Sequence, residues 1–174
     1  KTKGKVFFDQ SGLMASRGKV DSHLLKKILS NPYFKILPPK STGNREFGIE
    51  YANDLYNYSL KKKIPFNNLL ATLSMVTVES IARSYENFIF PFSKPNLVIL
   101  SGGGVRNKFI ISNLKDRLPR LEFAISDNLD VPAKYKESIL FALLGYLRLT
   151  NTRLNLRNLT GSKEKLLLGK IAHP

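Results

Sequence analysis

Cysteine is absent from this sequence, which excludes disulfides, thiolate metal sites and cysteine nucleophiles. The two histidines, His23 and His173, are too few for a histidine-built metal centre. One falls on a predicted amphipathic helix and the other in the tail, so no Ser-His-Asp device is expected, and no metal-ligand set either. No apolar run approaches the roughly 18 residues of a membrane span. The opening KTKGKVFFD has no signal-peptide pattern, so the expected location is cytoplasmic, with no membrane partner. Acids are scarce: 13 Asp and Glu stand against 28 Lys and Arg, a formal net charge of +15. Such a balance suits nucleic acid or anionic lipid. The cations are spread along the chain, however, only Lys61, Lys62 and Lys63 form a run, and no helix-turn-helix or RNP-like pattern accompanies them. A solvated basic surface is the expectation, and nucleic acid is not the expected partner. What is present, 174 residues of which 43% are hydrophobic, is enough for a single domain over residues 1–174 with its own core.

The chain is organised around residues 97–107, LVILSGGGVRN. Four apolar residues read as a short buried strand, Ser101 and three glycines break it, and Val105, Phe109, Ile110 and Leu114 follow at helical spacing. Without a Cβ, Gly102, Gly103 and Gly104 can take positive φ and let a ligand approach the backbone, while the helix behind them offers unpaired N–H groups to an anion. A nucleotide is the natural candidate; close packing of helix on sheet is the alternative. A Walker loop is excluded, because Asn107, Lys108 and Phe109 stand where GK[ST] is required. The dinucleotide fingerprint fits only as Gly102, Gly104 and Asn107, and Glu122 begins the next apolar run instead of ending it.

Elsewhere, the spacing predicts a helix over residues 20–29 with Asp21 or Ser22 as N-cap. A polar, turn-rich segment over residues 38–48, PPKSTGNREFG, collects Lys40, Ser41, Thr42, Asn44 and Arg45, a donor set that suits either a ligand or solvent. Partly periodic residues from Ile49 to Leu60 precede Pro65 and a long core helix over residues 66–85. A helix over residues 109–118 ends at Pro119, and residues 121–125 form the second strand. Ser126, Asp127 and Asn128 then share a sheet edge with the glycines, if the strands are parallel. Pro132 favours the first turn of the next helix, whose apolar residues, from Ile139 to Leu147, predict that it is largely buried. Glu137 puts a carboxylate on that apolar face, either for a ligand or to complement the helix dipole. In the tail, helical periodicity returns only over residues 163–168.

Read together, several segments resemble the C-terminal part of the anhydro-N-acetylmuramic acid kinases. They are DQSGLMASRGKV (residues 9–20), NPYF (31–34), PPKSTG (38–43), SGGGVRN (101–107), DVPAKYKESILFALLGYL (130–147), NLTG (158–161) and LGKI (168–171). The order matches the family's, and the pieces span almost the whole chain. The resemblance implies an α/β fold, part of the second lobe of an actin-like (ribonuclease H-like) sugar kinase, with several helices packed around a small sheet. It implies ATP-dependent phosphorylation of 1,6-anhydro-N-acetylmuramic acid with opening of the anhydro ring, in peptidoglycan recycling. Gly102, Gly103, Gly104 and Asn107 match the adenosine-binding loop, Glu137 matches the acid facing the sugar, and Lys40, Ser41 and Thr42 match a loop that is a possible ligand contact.

The chain contains no GTSxDGxD phosphate motif, no GGIAN-type segment and no FDTGP-type segment with the family's catalytic aspartate. Asp9 belongs to a matched segment downstream of that aspartate and is not a base. Asn44 and Arg45 replace the arginine and glutamate usual after PPKSTG, and Arg157 stands where a proline is common. The expectation is therefore a kinase fragment, inactive alone, lacking the N-terminal lobe and the start of the second. Its expected ligands are a nucleotide, as ATP with Mg2+ bound weakly or not at all, and an amino sugar. A missing lobe on a separate chain and a homodimer are the expected partners. The alternative is a catalytically inert nucleotide- or nucleic-acid-binding module.

Overall fold

A computed structural model describes residues 8–172, so most of the apolar run over residues 5–9, and His173, lie outside the described residues. The Asp9 carboxylate accepts hydrogen bonds from the N–H groups of Met14 (2.8 Å) and Ala15 (2.9 Å), and so caps the one-turn helix α1 (Leu13–Ser16). Asp21 is the N-cap of α2 (Ser22–Leu29), its Oδ1 accepting from Leu24 N at 2.8 Å. The Asp21 N–H in turn donates to Thr72 Oγ1 at 2.9 Å, and that of Lys19 to Asn68 Oδ1 at 2.9 Å, which ties the entry of α2 to α5 (Phe66–Phe88). A one-turn helix, α3 (Asn44–Phe47), interrupts the polar segment before α4 (Ile49–Lys61).

Helix α5 runs three residues beyond its expected end and serves two cores. Leu69 packs with Leu24, Ile28 and Leu55 from α2 and α4. Further along, Val78 and Ala82 pack with Val98 of strand β1 (Leu97–Leu100), with Leu114 of helix α6 (Lys108–Arg117), and with Leu118 and Leu121 beyond it. Arg117 fastens α6 to α5, donating from Nε to Glu79 (3.0 Å) and from a terminal nitrogen to Glu86 (2.6 Å). Those hydrogen bonds, with Glu86 first, raise its already high pKa, so the guanidinium stays charged.

Strand β2 (Glu122–Ile125) pairs with β1 in parallel, with Leu97 opposite Glu122 and Leu100 opposite Ile125. Parallel strands are stable when both faces are covered. Here α5 and α6 cover the face bearing Val98, whereas Leu97 and Ile99, on the other face, are 42% and 54% exposed.

Four expectations are corrected. Strand β1, expected to be buried from its apolar run, is covered on one face only, since no described element packs over Leu97 and Ile99. Helix α7 (Lys136–Leu149) was expected to be largely buried from its apolar spacing; it has no buried residue, and Phe141 and Tyr146 are 72% and 64% exposed. Apolar periodicity requires a covering surface, and the described residues supply none. The helix also begins four residues after Pro132. The Val131 N–H donates to Ser126 O (3.1 Å) and that of Ala133 to Asp127 Oδ2 (3.3 Å), which holds the intervening chain in a folded-back loop. In the tail, residues 163–168 are not helical. Leu166 forms an antiparallel bridge with Leu154, and the helical turn, α8 (Arg157–Thr160), lies earlier.

Candidate functional site

The carboxyl ends of the two strands lie side by side, and the chain leaves them by two different turns. After β1, Gly102 adopts φ 86°, ψ −177°, a backbone region essentially reserved for glycine. Residues Gly103–Arg106 then form a single 3-10 turn, and Asn107 caps α6 by accepting from Ile110 N at 3.1 Å. Asn107 is thus built into the helix start, and its Oδ1 is also the atom that a Cβ on Gly12 would strike, at 2.2 Å. Close approach of the Gly12 backbone there, at φ 73°, locks the turn at residues 9–12 against the glycine loop.

Only Gly102 of the triplet takes positive φ. A Cβ on Gly102, Gly103 or Gly104 would meet nothing within 4 Å, so close packing within the chain does not account for these glycines. The space beside them is a hollow of about 330 Å3 lined by Gly102, Gly103, Arg106, Ala133 and Lys134. After β2, the folded-back loop described above carries Ala133 and Lys134 to this hollow. Two cations, an open glycine backbone and no lining carboxylate make it compatible with an anionic ligand.

Arg106 and Lys134 escaped sequence reasoning. Arg106 was visible as part of SGGGVRN, but nothing in the spacing brings Lys134 back across the gap from β2. The hydroxyls of Ser101 and Ser126, successive residues after paired strand ends, are buried without a hydrogen-bond partner.

Glu137 sits in the first turn of α7, exposed, where its charge complements the helix dipole, and it does not line the glycine hollow. Lys40, Ser41 and Thr42 lie elsewhere. Lys40 Nζ donates to Tyr33 O at 3.2 Å, and Lys40 and Thr42 line a second, separate hollow. Among the described residues, no group of three or more His, Cys, Asp or Glu side chains is placed to hold a metal ion. No described helix is long and apolar enough to cross a membrane.

Fold and hollow define a class: an α/β protein whose parallel strand ends face a cationic, glycine-walled hollow, the place where such sheets take their ligands. The chain belongs to the anhydro-N-acetylmuramic acid kinase family, whose model matches residues 1–174. It is 36% identical to the anhydro-N-acetylmuramic acid kinase of Caldanaerobacter subterraneus subsp. tengcongensis, over 98% of this chain and 43% of that protein. Identity to the Gloeobacter violaceus enzyme of the same name is 39%, over 96% of this chain and 43% of the relative. For that of Francisella tularensis subsp. novicida it is 36%, over 94% and 42%. The chain thus spans less than half the length of these curated relatives.

Proposed function

We propose that this chain is part of the second lobe of an actin-like sugar kinase and supplies the adenosine side of its ATP site and part of its sugar site. The reaction is phosphorylation of 1,6-anhydro-N-acetylmuramic acid with opening of the anhydro ring, in the cytoplasm. The observation that carries the reading is the open glycine turn: three glycines whose missing side chains would meet only empty space, beside Arg106 and Lys134. Glycines that serve no internal packing leave room for something from outside. The base or ribose lies against residues 102–104, Arg106 and Lys134 face the phosphates, and Mg2+ arrives with the nucleotide. Glu137, one turn beyond Lys134, faces the sugar once the rest of the enzyme is in place.

Calorimetric titration with ATP tests this. A Cβ at Gly103 would meet nothing within 4 Å and its φ is not positive, so Gly103→Leu is expected to fold and to abolish the weak binding; unchanged titration by a folded Gly103→Leu protein places the nucleotide elsewhere. The chain alone is expected not to turn over ATP, because a positioned base and the other lobe's phosphate loop are both required. Turnover with anhydro-sugar by the purified chain, removed by Glu137→Ala, overturns that expectation. The expected partners are a lobe carrying the GTSxDGxD motif, on the same or a companion chain, and a second copy of this chain.

A further inference from the structure

A second hollow in the described structure lies away from the glycine loop. It encloses about 550 Å3 between α2, α4, α5 and residues 32–47, and shares no lining residue with the glycine hollow. Its size lies within the range of small-molecule sites, and its floor is aliphatic, from Leu55, Leu73, Val76 and Ile81. Its wall is a chain of aromatic rings set against each other. Tyr33 meets Phe47 edge to face at 5.2 Å, and Phe47 meets Tyr51 in the same manner at 5.3 Å. Rings held this way keep the hollow formed without a ligand.

The charges around it are of one sign. Lys40 and Arg83 line the hollow, and no aspartate or glutamate does. Lys40 gives one of its three donors to Tyr33 O at 3.2 Å, an anchor that holds the ammonium 4.8 Å from the centre of the Tyr33 ring. Arg83 approaches Glu79 only to 3.7 Å, and Glu79 already accepts from Arg117 at 3.0 Å. Burial raises the pKa of Tyr51 at the same wall, so it remains a phenol with a proton to donate. An ammonium beside an apolar cavity, unmatched by any acid in the lining, is satisfied by an anion whose remaining surface is apolar.

We propose that this hollow is a second ligand site that binds an organic monocarboxylate with an aromatic or aliphatic body, its carboxylate on Lys40 and its body among the rings. A single negative charge fits better than a phosphate dianion, because the wall is apolar and each of the two lining cations already has a partner, Lys40 in Tyr33 O and Arg83 in Glu79, so the larger desolvation cost of a dianion would not be offset. The site goes beyond the nucleotide reading and does not depend on it. It also gives the loop holding Lys40 and Thr42 a ligand of its own, apart from the reaction.

The probe pair is 4-phenylbutyrate and its neutral amide, 4-phenylbutanamide, titrated into the full chain by calorimetry. The acid is expected to bind at least about tenfold more tightly than the amide, as a charge-assisted hydrogen bond in a partly desolvated site implies. Lys40→Met keeps the aliphatic stem and should bring the acid down to the amide. Filling the hollow with Ser80→Phe, or with Ala52→Leu as the milder variant, should remove both ligands, while Gly103→Leu should leave both unchanged. Equal binding of acid and amide, no binding of either up to their solubility, or acid binding that survives Lys40→Met and both filling variants in folded protein would overturn the proposal. Loss of nucleotide binding alone would leave it standing.

Discussion

Tyr51 gives the most direct pH test at the scale of single residues. Burial raises its pKa above the ordinary 10.0, so the unfolded chain releases this proton first as pH climbs. Stability from this group is therefore whole below about pH 10 and declines as pH rises through the folded-state value. Chemical denaturation of the wild-type chain and of Tyr51→Phe should differ by a constant amount at neutral pH and by a changing one above pH 10, with the wild type losing ground. A constant difference to pH 11 would show that the phenol is not desolvated in solution. The residues most legible in the sequence were those whose role is set by covalent geometry. Gly102 stands in a backbone region that other residues avoid, and Asp21 precedes a helix it caps through its own side chain. Asn107 was legible as a loop residue but not as the cap of α6, because both uses require the same amide at the same position. Lys134 was not legible at all, since its place at the hollow depends on the Asp127 to Ala133 hydrogen bond within the folded-back loop.

Among the elements, α7 departs furthest from expectation. Spacing shows which residues share a face but not what covers that face, so a helix that is apolar on several sides reads as buried even when its covering surface lies outside the chain. The same holds for the open face of β1 at Leu97 and Ile99. Covering such surface contributes about 2.5 kcal/mol for every hundred Å2, a sizeable share of a domain's usual stability. Self-association through α7 is the expected response of the isolated chain, opposed by its charge of +15 and therefore strengthened by salt. Sedimentation at rising salt should show dimer replacing monomer, and Phe141→Asp should shift the equilibrium back by about tenfold or more, as loss of a large buried ring implies. A chain that stays monomeric at every salt concentration would mean that α7 finds its cover within the chain in solution. Helices α2, α4, α5 and α6 were legible to within a few residues because each carries a period and a stop signal, and the strands because each is a short apolar run bounded by turn residues. The tail was not, since a lone bridge between Leu154 and Leu166 leaves no period to read.

For the molecule as a whole, the consequence to draw is from α5, which lends Leu69 to one core and Val78 and Ala82 to the other. Two cores on separate elements could melt one at a time; two cores sharing a continuous helix are coupled, because unwinding the middle of α5 removes a wall from both. The chain should therefore lose its structure in one cooperative step, and opening of the middle of α5 should require global unfolding. Native-state hydrogen exchange would show this as a shared, slowest-exchanging set of backbone amides over the buried stretch from Leu69 to Ala82, with α2 and α6 amides joining it as denaturant is added. Amides of α2 exchanging by a separate, less costly opening while those of α6 stay protected would divide the molecule into two units. If the set is shared, a cavity made beside the aromatic hollow, as by Leu73→Ala, will loosen the glycine turn's supporting helix as well, and damage at either site will be registered by the whole chain as a fall in one common midpoint.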